Sequence, residues 1–183
     1  MDKLTVYESH LLAPPSTPYR LHQWLWQQIA PNGVSKKRDF LFRAVETDGR
    51  WLTHIRMATP NTNLPLTPKS YDLRHGIRYR FELTTVPVER SGRKTTRILR
   101  GESAIPWLEQ RAHRGGFRLV EVCTAVSQPL VFYGRNGRRI TLNDTLFEGI
   151  LEVDNSINFT TSMTLGIGRH KGFGFGLIQI NEE

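Results

Sequence analysis

Residues 3–30 read KLTVYESHLLAPPSTPYRLHQWLWQQIA, and they decide the fold because a strand pattern passes into a helix pattern through one proline-marked turn. Residues 3–12 predict a β-strand, and residues 13–16 predict the turn. Thr17 is the expected N-cap, with Pro18 at the first helical position of a helix that runs to about residue 30. Helical spacing predicts one core-facing stripe, formed by Leu21, Trp24, Leu25, Gln28 and Ile29.

The rest of the first half continues with strand patterns. Residues 39–45 and 51–57 alternate in polarity, and the TDGR segment at 47–50 is typical of a hairpin turn. A loop follows, with one helical turn expected near 69–74, and residues 77–86 then alternate as another strand. The predicted order of elements is βαββ(α)β.

The second half repeats this order. Residues 86–99 predict either a strand pair or a basic loop, and residues 103–114 predict a helix that ends at Gly115-Gly116. A strand over 117–126, a hairpin over 130–142, a strand over 145–153, a helix over 156–165 and a strand over 173–180 follow. We therefore predict an α+β chain of two tandem ferredoxin-like (βαββαβ, RRM-like) domains with antiparallel sheets, 1–88 and 89–183.

Positive charge is the most informative feature of the composition. The 25 Lys and Arg residues outnumber the 17 Asp and Glu residues, which gives a formal net charge of +8. This excess favours a polyanionic partner such as RNA, although a basic surface that serves only solubility is the alternative. Arginine-rich clusters suit forked contacts to phosphate. The residues predicted to bind RNA in these clusters are Lys36, Lys37, Arg38, Arg90, Arg93, Lys94, Arg97, Arg100, Arg135, Arg138 and Arg139.

Several classes of protein are excluded by what the sequence lacks. It has no apolar run of membrane-spanning length and no secretion-signal pattern, so we expect a cytoplasmic protein with no membrane partner. The lone cysteine, Cys123, excludes an internal disulfide, and its apolar surroundings predict a buried structural thiol. No Walker A sequence, HExxH motif, EF-hand loop or carboxylate cluster is present, so we expect neither a metal nor another cofactor.

Two features carry candidate chemistry. His22 shares one helical face with Tyr19 and Trp26, and a histidine titrates near neutrality as acid–base catalysis requires. An ordinary surface or core histidine is the alternative. The segment GIGRHKGFGFG at 166–176 lies between a helix and a strand, the reverse of a dinucleotide-binding motif. It is either a tight connection or a loop whose backbone approaches phosphate, with Gly168, Arg169, His170 and Lys171 inside it.

Five segments together resemble the CasE family of CRISPR repeat-processing endoribonucleases. They are residues 17–26 (TPYRLHQWLW), 38–43 (RDFLFR), 107–109 with 115–117, 146–153 (LFEGILEV) and the glycine-rich segment continuing to residue 178. They occur in the family's order and span nearly the whole chain. The resemblance implies that His22, Tyr19 and Lys171 fall on catalytic positions. The glycine-rich basic loop itself predicts that Gly168, Arg169 and His170 contact RNA.

The resemblance also implies a function. A basic cleft would hold the CRISPR repeat hairpin, and the protein would cut precursor CRISPR RNA at the 3′ base of the stem without a metal. It would then stay on the guide RNA as a subunit of a Cascade-type surveillance complex. Two alternatives remain: a non-catalytic tandem RRM-like RNA-binding subunit, and a structural CRISPR subunit that coats RNA without cutting it.

Overall fold

The first sheet is built from the N-terminal part of the chain. The computed structural model describes residues 2–14, 16–33, 38–91 and 95–183. The elements of the first part are β1 (Lys3–Ala13), α1 (Pro18–Ile29), β2 (Phe40–Thr47), β3 (Arg50–Met57) and β4 (Thr67–Asp72). The strands are antiparallel in the order β2-β3-β1-β4.

Helix α1 begins and packs as its sequence predicts. The hydroxyl of Thr17 accepts a hydrogen bond from the backbone N–H of Arg20 at 3.3 Å, which confirms the predicted N-cap. Leu21, Leu25 and Ile29 are buried against the first sheet, together with Phe40, Phe42 and Ile55. Trp24 and Gln28 of the predicted stripe are only partly buried.

The second sheet uses the remaining strands. Its elements are β5 (Arg78–Thr85), β6 (Val88–Ser91), β7 (Thr95–Ile98), α2 (Ile105–Arg114), β8 (Phe117–Tyr133), β9 (Arg139–Val153), α3 (Ser156–Leu165) and β10 (Ile178–Glu182). The strand order is β10-β5-β9-β8, and β6 and β7 form a separate two-stranded ribbon. Phe81, Leu108, Phe147, Phe159 and Met163 belong to the core between this sheet and its helices.

Both sheets have one topology. If β5, β8, β9 and β10 are counted as first to fourth, the second sheet reads 4-1-3-2, and the first sheet reads the same from its β4 edge. This order confirms the predicted tandem of ferredoxin-like folds. Among the described residues, the first repeat has no helix between β3 and β4.

Two predicted elements differ near the junction of the sheets. Residues 67–72 form strand β4, which pairs with β1, where the sequence predicts a helical turn near 69–74. Strand β5, expected to close the first repeat, pairs with β9 and β10 in the second sheet. The change of sheet thus falls between Asp72 and Arg78, while the division of the domains at 88 stays a prediction. Alternating polarity identifies a strand but not its partner.

Three other predictions need correction. Strands β8 and β9 form one long hairpin in place of three shorter pieces, with Asn136 and Gly137 in left-handed conformations at its tip. Cys123 is exposed, because the pairing shifts between Val122 and Thr124 interrupt the alternation of faces. The last strand begins at Ile178, since residues 171–173 form a 3-10 turn.

The two sheets are joined by a buried arginine. Arg56, only 2% exposed, donates from Nε to a carboxylate oxygen of Glu8 and from Nη1 to the carbonyl of Ile178, each at 2.7 Å. Arg43 makes a second connection, through an ion pair with Glu82 and a hydrogen bond to Gln179. None of the helices in the described part of the chain is long and apolar enough to cross a membrane.

Candidate active site

His22 meets the glycine-rich segment at the contact between the two repeats. A Cβ placed on Gly172 would lie 3.4 Å from Cε1 of His22, so the helix and the 3-10 turn at 171–173 touch there. The His22 ring lies 6.3 Å from the Phe173 ring and 6.4 Å from the Trp26 ring, centroid to centroid. One wall of this corner thus comes from α1 and the other from the loop before β10.

Close packing and left-handed backbone conformations explain several glycines of the glycine-rich loop. Gly168 adopts a φ of +86°, and a Cβ there would collide with the hydroxyl of Thr85. Gly174 and Gly176 also have left-handed conformations, and His170 adopts φ 58° without being glycine. The segment is therefore a tight connection, and this connection presents Lys171 and Gly172 to His22.

Burial and positive charge lower the pKa of His22. Burial is the larger cause and the guanidinium of Arg38 is the second. A hydrogen bond between the imidazole and the backbone of Gly172 partly offsets them by raising the pKa. Nδ1 of His22 is buried and has no hydrogen-bond partner among the described residues. The pKa of Lys171 is lowered by burial first, and then by Arg38 and Arg111. The corner therefore combines a histidine that favours its neutral form with two neighbouring cations, Arg38 and Lys171.

Tyr19 lies one turn of helix before His22 and packs on an aromatic cluster. Its ring contacts a group that includes Phe132, Phe173 and Phe175. Phe132 and Phe173 are in edge contact, with centroids 4.9 Å apart. The tip end of the β8–β9 hairpin is thereby packed against the same turn that carries Lys171.

A basic groove of about 720 Å³ leads away from Lys171, between α2 and the glycine-rich loop. Three of the predicted RNA-binding residues line it: Arg90, Gly168 and Arg169. Arg111 and Arg114 on α2 also line it and were not predicted, although their spacing of three residues on a helix could have revealed a basic face. The Arg111 guanidinium lies 5.3 Å from the centre of the Trp107 ring, whose buried Nε1–H has no partner among the described residues.

The other predicted RNA-binding residues are scattered. Exposed arginines Arg135, Arg138 and Arg139 surround the tip of the β8–β9 hairpin, and Arg97 and Arg100 are exposed on and after β7. His170 is exposed on one side, and the pKa of its ring is lowered by the partial desolvation of the other side and then by the charge of Arg169. Four predicted residues lie outside the described part of the chain: Lys36, Lys37, Arg93 and Lys94.

The described side chains form no metal-binding arrangement. Residues 2–14, 16–33, 38–91 and 95–183 bring no group of three or more His, Cys, Asp or Glu side chains together in such a geometry. The described side chains at the corner offer an imidazole, an ammonium and a guanidinium. Such a set can transfer a proton and stabilise negative charge.

Known proteins share this sequence and architecture. The chain is 22% identical over 183 aligned positions to the CRISPR system Cascade subunit CasE of Escherichia coli K12, covering 88% of this chain and 90% of CasE. It is 30% identical over 129 positions to the CRISPR-associated endoribonuclease Cse3 of Thermus thermophilus, covering 63% and 61% of the two chains.

Solved structures agree with these sequence matches. Thermus thermophilus Cse3, bound to an RNA representing a pre-cleavage complex, superposes with a TM-score of 0.73 at 24% identity, over 99% of this chain and 100% of that one. Cas6e from Escherichia coli K-12 gives 0.74 at 21% identity, over 98% and 100%. The profile of the family described as "CRISPR associated protein" matches residues 6–181. The chain therefore belongs to the CRISPR-associated protein family and is of its CasE type.

Proposed function

We propose that this protein is a metal-independent endoribonuclease that binds the CRISPR repeat hairpin and cleaves precursor CRISPR RNA at the 3′ base of the stem. The observation that carries the proposal is the contact of His22 with the Lys171–Phe173 turn, beside Arg38. The names of the relatives agree with it, since Cse3 is called an endoribonuclease and has been solved with RNA.

The chemistry is an internal transesterification. The 2′-oxygen upstream of the scissile phosphate forms a bond to phosphorus as the bond to the 5′-oxygen breaks. The leaving 5′-oxygen takes a proton from water, so the products carry a 2′,3′-cyclic phosphate and a 5′-hydroxyl. His22 acts as general base for the 2′-hydroxyl, because its lowered pKa keeps the imidazole in the neutral, proton-accepting form near pH 7.

Cations supply the remaining stabilisation. Lys171 and Arg38 lie close enough to each other for the charge of Arg38 to lower the pKa of Lys171. A phosphorane between Lys171 and Arg38 would place its negative charge beside two partly desolvated positive charges. The phosphorane is thereby stabilised, and the repulsion between the two cations is reduced. Tyr19, held by the aromatic cluster, positions the 2′-hydroxyl or the phosphate.

RNA binding is assigned to two surfaces. The basic groove beside Lys171 takes the phosphate backbone next to the scissile bond, and the hairpin-tip arginines grip the duplex. We expect Arg139→Ala to weaken binding and to flatten its logarithmic salt dependence by about one unit of slope. Arg118→Ala removes an arginine that is already paired with Glu152, so it is the matched control. An unchanged slope for Arg139→Ala would assign that residue to solubility.

The cleaved guide RNA is retained, and the protein becomes a subunit of a Cascade-type complex in the cytoplasm. Relatives support this step, since CasE is named a Cascade subunit and a chain of a CRISPR RNA-guided surveillance complex shares the fold at a TM-score of 0.71. Co-purification of a stoichiometric guide RNA with the other complex subunits is the expected result. Isolation of the complex without this chain would contradict it.

Labelled repeat RNA in excess EDTA tests the catalytic proposal. We expect one discrete cut with a 5′-hydroxyl on the downstream fragment, and no cut when the upstream nucleotide carries a 2′-deoxy sugar. Cleavage of the deoxy substrate would exclude the internal nucleophile. Tight binding without any cut would favour the non-catalytic RNA-binding subunit instead.

A further inference from the structure

A second cavity of about 340 Å³ lies between the two sheets, and the proposed function does not use it. Its walls come from α1, β2 and β3 on one side and from β5, β8, β9 and the loop before β10 on the other. Flat or apolar side chains form much of the lining, including Trp51, Leu130, Phe173 and Phe175. We call it the intersheet cavity. Its volume is at the lower end of the range for small-ligand sites.

Asp144 is the unusual residue of this cavity. It is only 6% exposed, and one of its carboxylate oxygens, Oδ2, accepts a hydrogen bond from the side-chain amide of Gln128 at 3.1 Å. The other, Oδ1, is buried without a hydrogen-bond partner among the described residues. A buried carboxylate oxygen without a donor is costly, so the site is suited to a ligand that brings N–H groups.

The intersheet cavity lies beside the proposed active site. Phe173 lines the cavity and also contacts the ring of His22, and Pro18 and Leu21 line it from the catalytic helix. Arg43 reaches the cavity too, but its guanidinium is engaged by Glu82 and Gln179. A base of the bound RNA that entered this cavity would therefore belong to a nucleotide near the scissile phosphate.

We propose that the intersheet cavity is a nucleobase pocket, in which an unpaired guanine next to the cleavage site stacks on aromatic walls and donates hydrogen bonds to Asp144. The proposal rests on the assignment of RNA as substrate. Aromatic side chains commonly stack on splayed-out bases in RNA recognition. Gln128 fixes the plane of the carboxylate, which leaves Oδ1 and the remaining lone pair of Oδ2 as acceptors.

Guanine matches these acceptors better than the other bases. Its Watson–Crick edge offers two neighbouring donors, N1–H and the 2-amino group. The donors of adenine and cytosine adjoin a ring-nitrogen acceptor, and the N3–H of uracil lies between two carbonyl oxygens that a carboxylate repels. A peptide from a partner subunit is the competing occupant, and it would show no preference among nucleotides.

The first test uses the native protein and free nucleotides, so it does not depend on cleavage. Guanosine, inosine and uridine 5′-monophosphates are titrated while two-dimensional ¹H–¹⁵N NMR follows the indole N–H of Trp51. We expect the guanosine nucleotide to bind about ten-fold tighter than the uridine nucleotide, with inosine between them because it lacks the 2-amino donor. Equal affinity for all three, or no response at Trp51, would overturn the proposal.

The second test exchanges the acceptor for an amide of the same shape. Asp144→Asn should abolish the preference for guanosine, whereas Asp154→Asn, at an exposed aspartate outside the cavity, should keep it. An Asp144→Asn variant that keeps the preference, or loses only its association with other complex subunits, would overturn the proposal. The EDTA cleavage assay on native protein separates the two ideas: a normal cut with no guanosine preference contradicts this pocket alone.

Discussion

His22 and Gly172 are in direct contact across the two repeats. A methyl group on Gly172 would lie 3.4 Å from Cε1 of His22 and 3.5 Å from Nη1 of Arg38, both ordinary van der Waals distances. Residue 172 has no left-handed backbone to restrict its identity, since its φ is not among the positive values of this chain. Side-chain size at this position therefore controls the space around the proposed base and its neighbouring cation.

Substitution of Gly172 tests this contact. Gly172→Ala should cleave repeat RNA near the native rate, because its methyl group fits. Gly172→Val must displace His22 or Arg38, and a displacement of about 1 Å can cost about 10²-fold in rate. Single-turnover cleavage measures the rates, and circular dichroism checks the fold. Equal rates for valine and alanine would show that the contact does not position the imidazole.

His22→Ala should separate chemistry from binding. General acid–base catalysis contributes about 10²–10⁴-fold, so we expect at least that loss in cleavage with nearly unchanged RNA affinity. Lys171→Ala should lose less, and Tyr19→Phe least, because that variant keeps the packed ring. His113→Ala, at an exposed histidine of helix α2, is the control. Full activity in His22→Ala would move the assignment to His170.

Removal of the neighbouring charge should raise the pKa of His22. Burial is the larger cause of its lowered pKa and remains in Arg38→Gln, while the second cause disappears. Protonation inactivates a general base, so the acidic limb of the pH–rate profile should move to higher pH in this variant. NMR titration of the His22 ring measures the same shift directly. Arg20→Gln, at an exposed arginine of the same helix, should leave the pKa in place.

Glu8 should make stability depend on pH in acid. Burial alone would raise its pKa, but hydrogen bonds and charges from His54 and Arg56 lower it from 4.5 to about 2. Because the folded-state pKa is the lower one, this stabilisation is complete above about pH 4.5 and is lost as the pH falls toward 2. It is on the order of 3 kcal/mol.

Urea unfolding between pH 5 and pH 2.5 measures this contribution. The native protein should lose more stability over this range than Glu8→Gln, which lacks the titrating group but is less stable at pH 7. Asp154→Asn, at an exposed acid, should follow the native curve. Parallel curves for native protein and Glu8→Gln would refute the role of the buried pair.

Local chemistry accounts for what could be read from the sequence. Thr17 and Pro18 define a helix start through side-chain capping and a fixed φ, which are properties of neighbouring residues. The sheet that β5 joins depends on partners some 70 residues away, for example Phe81 opposite Gly149, and no local pattern encodes it. The predicted burial of Cys123 was wrong for a similar reason, since a shift in the pairing of β8 with β9 decides which face of the sheet Cys123 occupies.

The candidate site divides in the same way. A resemblance to a family pointed to His22, Tyr19 and Lys171, but residue types alone could not show that Gly172 faces His22 and Arg38. Trp107 and Asp144 were missed because their buried polar atoms differ from ordinary core atoms only in lacking partners among the described residues. That property exists in three dimensions alone.

The hydrogen bond from Arg56 to Ile178 links the two sheets independently of the chain that connects them. The proposed base comes from the first repeat and the proposed lysine from the second, so neither repeat alone holds the catalytic set. A nick in the turn between β4 and β5 would leave two fragments, each with its own sheet, and Arg56 of one would still donate to Ile178 of the other. The two fragments should therefore complement each other, and recovery of RNA cleavage on mixing them would measure their association.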